Sequence, residues 1–397
     1  MKILHIISGL GVGGAETLLY RLINESHGGD TQHVVVSLSA LDLMGDRMRA
    51  LGVEVRILGM SRGAPQPHLI GRMIRWILEI QPDVVQTWMY HADLLGGVAA
   101  RVAQAIMKLR DTNAPRLRLV WAIHQTSFPT FRNELRQRLV ATCCAWMSAK
   151  IPDVIVCCAE TARSSHADGG YCVSRMQVVR NGFDIDLFRP RDSARSDLRA
   201  LLGIEQEALI VGIVGRYHPA KDYANFVAAI GSVSRRLPDC HYIMVGKGLD
   251  AENPDLRRLL ADVGITEKCH LLGPRDNLHL LLPGFDVFCL SSRSEGFPTV
   301  VGEAMACAVP CVVTDVGDTA LLVGKSGLIV PAEDASALAA ALLSLLVEPE
   351  QDRRRRGQTA RERIRTHFSI QSTWQNYQRL YAAVQQGDCR CADSPVS

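Results

Sequence analysis

Two glutamates stand out first. In Glu295-Gly-Phe-Pro-Thr-Val-Val-Gly-Glu303-Ala-Met-Ala, seven residues separate Glu295 from Glu303. The segment follows an apolar run ending at Leu290, so Glu295 is expected in the loop after a buried strand. Pro298 suits the first turn of a helix. The first amides of that helix, those of Thr299 and Val300, have no partner inside it and point at an anion. Glu303 falls further along the same helix, within the apolar run Val300–Ala308, where a surface position fits poorly. One carboxylate at a loop mouth and another on the helix can hydrogen-bond sugar hydroxyls at one end and ribose hydroxyls at the other. A second cluster, Gly215-Arg216-Tyr-His-Pro-Ala-Lys221, follows another apolar run. Arg216 offers a rigid donor fork and Lys221 a mobile point charge, and together they could grip one diphosphate. Two solvated cations on the approach to a helix explain the pair equally well. A third cluster, Gly9-Leu-Gly11-Val-Gly13-Gly14-Ala-Glu16, lies between a strand and a helix, where glycine lets the backbone approach a phosphate. It also matches the dinucleotide fingerprint. Asp30, the acid that would hold a ribose in that case, comes before the second strand rather than at its end.

The elements that must hold these residues repeat as strand, turn and helix. Lys2–Ser8, His33–Leu38, Val53–Leu58, Asp83–Thr87, Leu117–Ile123 and Asp153–Cys158 read as strands, with helices such as Ala15–Ser26 between them. The alternation restarts with Leu209–Val214, His241–Val245, Cys269–Leu272, Asp286–Leu290 and Pro310–Thr314, separated by helices that include Tyr223–Arg236 and Ala335–Leu346. Such alternation predicts parallel sheets covered on both faces. Asn181-Gly182 and Pro190 punctuate a polar stretch between the two runs. The expected organisation is a first domain over 1–185, a linker over 186–205, a second domain over 206–365 and a final helix over 366–385 that packs back on the first domain. In that helix Trp374, Tyr377 and Tyr381 share one face.

On these motifs the sequence resembles the family 4 retaining glycosyltransferases, whose mark is two glutamates spaced as Glu295 and Glu303 are. The likeness runs from Gly13-Gly14-Ala-Glu16, through Asn181-Gly182-Phe-Asp-Ile-Asp-Leu-Phe-Arg-Pro190, to the helix after Glu303. The resemblance implies an α/β GT-B fold, two doubly wound Rossmann-like domains facing each other across a cleft. It implies that Arg216 and Lys221 neutralise the donor diphosphate and that Glu303 holds the ribose hydroxyls. Glu295, with the amides of Gly296, Phe297, Pro298-Thr299 and Val300, would hold the transferred sugar and distal phosphate. Gly13 and Gly14 would approach the phosphates from the other domain. His124, in Trp121-Ala-Ile-His124-Gln-Thr, matches the histidine that lies beside the donor sugar. Where the family carries glycine after the lysine, this chain has Asp222. The implied chemistry is transfer with retention by a front-face route, the leaving phosphate helping to deprotonate the acceptor. The donor is a UDP- or GDP-sugar acting as co-substrate, with no other cofactor and no metal. Asp184-Ile-Asp186 resembles a metal-binding pattern, but its place in the linker speaks against that role.

Bulk composition sets the frame. The 397 residues are 47% hydrophobic and 21% charged, ordinary for a globular chain of two domains. No apolar run reaches the length of a membrane span, and the start reads as a strand rather than a signal peptide. A cytoplasmic protein is expected. The 12 cysteines lack metal-site spacing and are read as reduced thiols; Cys389 and Cys391 are the close pair in the tail. Residues 1–190 carry +5 and the remainder −2. With Arg101, Lys108, Arg110, Arg116 and Arg118, and the amphipathic stretch Phe131–Lys150 carrying Phe131, Leu135, Leu139, Arg132 and Arg136, the first domain could lie on an anionic membrane surface. A solvated helix face is the competing account. The resemblance implies a glycan or lipid-linked acceptor, in lipopolysaccharide or exopolysaccharide synthesis, and no nucleic-acid partner. A nucleotide-sugar epimerase, an NAD-dependent oxidoreductase and a non-catalytic subunit remain open at this level.

Overall fold

A computed structural model describes residues 1–11, 13–40, 42–60, 67–129 and 135–387. Its contacts divide into one unit formed by Met1–Gly182 with Ile370–Ser397, and another formed by Phe183–Ser369. Phe131, Arg132, Cys389 and Cys391 lie outside the described residues.

The first unit carries β1 Lys2–Ile7, β2 Gln32–Ser37, β3 Glu54–Ile57, β4 Val84–Trp88, β5 Arg118–Ile123, β6 Val154–Cys157 and β7 Met176–Val178. They pair in the order β3-β2-β1-β4-β5-β6-β7, every ladder parallel. Helices α1 Gly14–Glu25, α2 Gly45–Ala50, α3 Pro67–Ile80, α4 Tyr90–Arg110, α5 Leu135–Met147 and α6 Glu160–Asp168 connect them. The central strands are buried on both faces because helices cover both. Asp30 precedes β2, as its place in the sequence indicates.

The second unit holds helix α7 Ala194–Leu202, strands β8 Ile210–Val214, β9 His241–Val245, β10 Cys269–Gly273, β11 Val287–Leu290, β12 Cys311–Thr314 and β13 Leu328–Val330, and helices α8 Tyr223–Ser234, α9 Pro254–Asp262, α10 Leu278–Leu281, α11 Thr299–Ala306, α12 Thr319–Val323, α13 Ala335–Val347 and α14 Glu350–His367. Its parallel sheet runs β10-β9-β8-β11-β12-β13. Each sheet therefore reverses direction once, between β1 and β4 and between β8 and β11. Ligands of doubly wound sheets bind at the C-terminal ends of strands at such a reversal. The loops after β1, β8 and β11 are the ones that carry the glycine, Arg–Lys and Glu–Glu clusters.

Helix α15, Ile370–Gln386, belongs to the first unit. Tyr377 and Tyr381 are fully buried and Trp374 is 8% exposed, all within the core that also holds Leu18, Leu19 and Leu22 of α1. The Tyr381 hydroxyl donates to Oε1 of buried Gln86 on β4.

The stretch between the sheets is firmly built. Gly182 has no room for a Cβ, which would come within 2.8 Å of the Ile370 Cα. Phe183 is fully buried, its amide bonded to the Phe368 carbonyl at 2.9 Å. α7 follows, with Arg199 wholly buried and paired to Asp286 at 2.6 Å. Asp184 accepts the amides of Asp186 and Leu187 at 3.1 and 2.8 Å, a turn that spends its carboxylate locally.

Candidate active site

In the second unit the loop Gly215–Asp222 joins β8 to α8 and is tied down along its length. The Gly215 amide donates to Val245 O at 2.9 Å, and the Tyr217 amide to Lys247 O at 2.8 Å. Tyr217 stacks on Tyr223 at 5.6 Å, and the Tyr223 hydroxyl donates to Gly215 O at 3.0 Å. From the end of β11, the Arg293 amide donates to Ala220 O and the Ser291 hydroxyl to Lys221 O, both at 2.8 Å. Two strand-end loops at the sheet reversal thus form one body. Arg216 is exposed on it.

Asp222 supplies the turn that ends this loop. Its φ of 48° and ψ of 57° are left-handed, the region glycine enters without steric cost. Aspartate tolerates that region when its side chain bonds locally. Here Oδ1 accepts the Asn225 amide at 3.3 Å, capping α8, and Oδ2 receives Arg293 Nε at 2.8 Å. The left-handed turn is thus held by an aspartate whose carboxylate is spent on the helix start and on Arg293.

Lys221 and Glu295 meet directly, Nζ to Oε1 at 2.5 Å, and Ser292 donates to the same oxygen at 2.6 Å. Both charged side chains are largely buried, at 21% and 12% exposure, so the pair is screened less than a surface contact. Ser292 was not picked out from the sequence; a serine at the end of an apolar strand carries no periodic signal.

The loop from Glu295 to Pro298 rests on Val316–Asp318. The Asp318 amide donates to Gly296 O at 2.9 Å, and a Cβ on Gly317, whose φ is 59°, would fall 2.0 Å from Glu295 O. Phe297 points away from the loop mouth, against Phe183 at 5.9 Å and Phe368 at 5.8 Å. Its backbone alone is left for a ligand. Pro298 is the residue before α11 rather than inside its first turn, and supplies no side-chain cap. The helix therefore opens with uncapped amides at Thr299 and Val300. Glu303 is the fifth residue of α11 and is 7% exposed. Gly302 beside it meets the Phe183 ring, which a Cβ would approach to 2.0 Å.

In the first unit Gly13 stands immediately before α1 and Gly14 is its first residue, with open space where a Cβ would be. His124 follows β5. Its ring stacks face to face on Trp88 at 5.1 Å and 15°, and burial holds its pKa down to about 4, so the imidazole is neutral at pH 7. Its Nε2 is buried with no hydrogen-bond partner among the described residues. The residue after Trp88, Met89, has φ 75° and ψ 154°, a strained conformation for a side chain of its kind.

The structure thus brings Lys221 and Glu295 together, with Arg216 on the same body and Gly296–Glu303 leading away from it. It places Gly13, Gly14 and His124 at strand C-termini of the first unit. Among the described residues no cluster of three or more His, Cys, Asp or Glu could hold a metal ion. The described cysteines are free.

Residues 12–187 match the family described as Glycosyltransferase Family 4, and residues 208–348 the family described as Glycosyl transferases group 1. EpsF of Bacillus subtilis, assigned to the glycosyltransferases, is 27% identical over 330 residues, 79% of each chain. An Escherichia coli UDP-Gal:alpha-D-GlcNAc-diphosphoundecaprenol alpha-1,3-galactosyltransferase is 24% identical over 291 residues, 71% of this chain and 70% of that protein. The crystal structure of Anabaena HepE in complex with UDP superposes with a TM-score of 0.81 at 20% identity, covering 96% of this chain and 100% of that one. The chain is a glycosyltransferase of the GT-B fold, related to the family 4 sugar transferases.

Proposed function

We propose that the protein is a retaining transferase that takes its sugar from UDP-glucose or a similar nucleotide-diphosphate sugar. The acceptor is a glycan or lipid-linked saccharide of surface polysaccharide synthesis. The observation that carries this is the Lys221–Glu295–Ser292 cluster beside the uncapped start of α11, with Glu303 buried further along. A lone structural ion pair does not need a loop tied to two strand ends. In use, Arg216 and Lys221 neutralise the diphosphate as the anomeric bond breaks. Glu295 and the amides of Gly296, Phe297, Thr299 and Val300 take the sugar and distal phosphate, and Glu303 takes the ribose. Gly13, Gly14 and neutral His124 serve the phosphates and the sugar from the first unit. No side chain is assigned as a covalent nucleophile; the leaving phosphate accepts the acceptor's proton. HepE has been crystallised with UDP-glucose and the E. coli relative is named for a diphosphoundecaprenol substrate, which supports a UDP-sugar and a lipid-linked acceptor.

Thermal or urea unfolding with a panel of UDP-, GDP- and ADP-sugars tests the donor. A ligand at about one hundred times its dissociation constant should add roughly 2.7 kcal/mol of stability. A selective gain that disappears in Glu303→Ala is expected. No gain from any nucleotide sugar would sink the proposal. The anomeric configuration of the product, read by NMR, decides retention.

Contact with an anionic membrane is part of the same proposal. No helix among the described residues is long and apolar enough to cross a membrane. Two adjacent helices nevertheless expose apolar side chains: Val102 and Leu109 on α4, and Leu135, Leu139 and Trp146 on α5, the last 83% exposed. Lys108, Arg110, Arg136 and Lys150 are exposed on the same helices or just beyond them. Arg101 and Arg116 are committed to Asp153 at 3.0 and 2.6 Å, and Arg118 to the Gln385 carbonyl, which narrows the cationic set expected from the sequence. Binding to vesicles containing anionic lipid, weakened by salt and by Trp146→Ser, is the expected result. Equal binding to zwitterionic vesicles, or none to either, would count against it.

A further inference from the structure

Behind His124 lies a buried chain of polar groups that the donor chemistry leaves unused. The Trp88 indole N–H donates to Nδ1 of His5 on β1 at 3.3 Å. Nε2 of His5 meets Nδ1 of His33 on β2 at 2.9 Å. Nε2 of His33 meets the Ser26 hydroxyl at 2.8 Å, and that hydroxyl donates to the Ile23 carbonyl at 2.9 Å. Trp88, His5, His33 and Ser26 are all buried, Trp88 completely.

The first donor fixes every proton after it. An indole N–H can only donate. Nδ1 of His5 therefore accepts, and His5 carries its proton on Nε2. That proton is donated to Nδ1 of His33, so His33 also carries its proton on Nε2 and donates it to Ser26. A second proton on either ring would set N–H against N–H. The rings are held neutral by burial, and for His5 also by the neighbouring His33. The indole is consequently anchored by its edge. Its face is what His124 lies on, 5.1 Å away and nearly parallel, and Trp374 of α15 covers the far side of the chain at 5.8 Å from His33.

We propose that Trp88 is a positioning residue for His124: the His5–His33–Ser26 chain fixes the edge of the indole, and the face of the indole fixes the plane of the imidazole. The inference rests on the assignment of His124 to the donor sugar. A relay that merely filled the core would not need its last member to present a flat face to a strand-end histidine whose Nε2 is unpartnered among the described residues.

Long-range proton–nitrogen NMR on the uniformly labelled wild-type protein tests the chain without any variant. His5 and His33 should each show a single Nε2–H tautomer and no titration from pH 8 to pH 5. An Nδ1–H tautomer on His5 would overturn the proposal. Trp88→Phe keeps a smaller aromatic face and removes the N–H together with the five-membered ring that carries it. It should free the His5 tautomer, shift the His124 ring resonances and raise the His124 titration toward that of an ordinary histidine. Unmoved His124 resonances would also overturn it. Turnover of the nucleotide sugar that stabilises the protein supplies the functional arm. Trp88→Phe should lower kcat about tenfold with KM changed less than twofold, and should cost nothing further in a His124→Ala background. An equal loss in that background would mean that Trp88 does not act through His124. A slow His124→Ala with a wild-type Trp88→Phe removes the proposal alone. A wild-type kcat in His124→Ala removes the assignment beneath it, and the proposal with it.

Discussion

At the scale of single residues, Asp222 shows how a local rule can be broken and satisfied together. The position after Lys221 demands a left-handed backbone, and this chain meets the demand with a carboxylate that caps α8 and holds Arg293. Asp222→Ala removes the cap and adds left-handed strain. It should destabilise by about 2–3 kcal/mol, the sum of a cap loss of roughly 1 and a left-handed penalty of roughly 1–2. Asp222→Gly removes the cap without the strain and should cost much less, though it is the smaller residue. Urea unfolding of the two variants checks the order, and an alanine variant as stable as the glycine one would refute the backbone account. What could be read at this scale beforehand was residue type and spacing: Glu295 and Glu303 carry charges that a surface position explains poorly, whereas Arg216 and Lys221 fitted two solvated cations equally well. The pairing of Lys221 with Glu295, and the part played by Ser292, could not be read. They depend on two loops 70 or more positions apart arriving at neighbouring strand ends.

At the scale of elements, apolar runs of four residues or more were legible and three-residue edge strands were not. β1, β2, β5 and β9 stand within a residue or so of their expected ends because each is a continuous buried run between turn signals. β7 and β13 went unseen. Each is a three-residue strand at the edge of its sheet, too brief to show a period. α15 was legible as an amphipathic helix, since Trp374, Tyr377 and Tyr381 repeat at helical spacing. The partner of its hydroxyl was not. Tyr381→Phe keeps the ring and leaves the Gln86 side chain, fully buried on β4, without its donor. A loss of about 1–3 kcal/mol is expected, the cost of an unsatisfied buried acceptor. Loss of under a few tenths of a kcal/mol in chemical denaturation would show that Gln86 finds another partner.

At the scale of the whole molecule, the buried histidines of the first unit should contribute acid sensitivity. His33 and His124 are held neutral down to about 4 by burial, and burial with the neighbouring His33 also holds His5 well below its ordinary value. An unfolded chain binds protons at these rings near 6.5, so between pH 6.5 and 4 the unfolded state holds more protons and stability falls as pH falls. His33 alone should account for about 3 kcal/mol across that window. Asp93, buried with its carboxyl raised well above the usual carboxylate range, works in the opposite direction, favouring the fold at low pH. Unfolding free energies measured at pH 7.5 and 5 should therefore drop, and should drop further in Asp93→Asn, where the opposing group is gone. Equal stability of Asp93→Asn at both pH values would contradict the neutral histidines.

The first unit is also discontinuous, its opening 182 residues completed by a helix that begins at Ile370. A ribosome delivers the chain from its N-terminus, and domains ordinarily close as they emerge. Here the core of the seven-stranded unit is complete only once Trp374, Tyr377 and Tyr381 have emerged, after all of Phe183–Ser369. The apolar surface that α15 covers therefore lacks its partner until the last part of the chain is made. That interval is when a chaperone or a premature stop codon would decide the fate of the molecule.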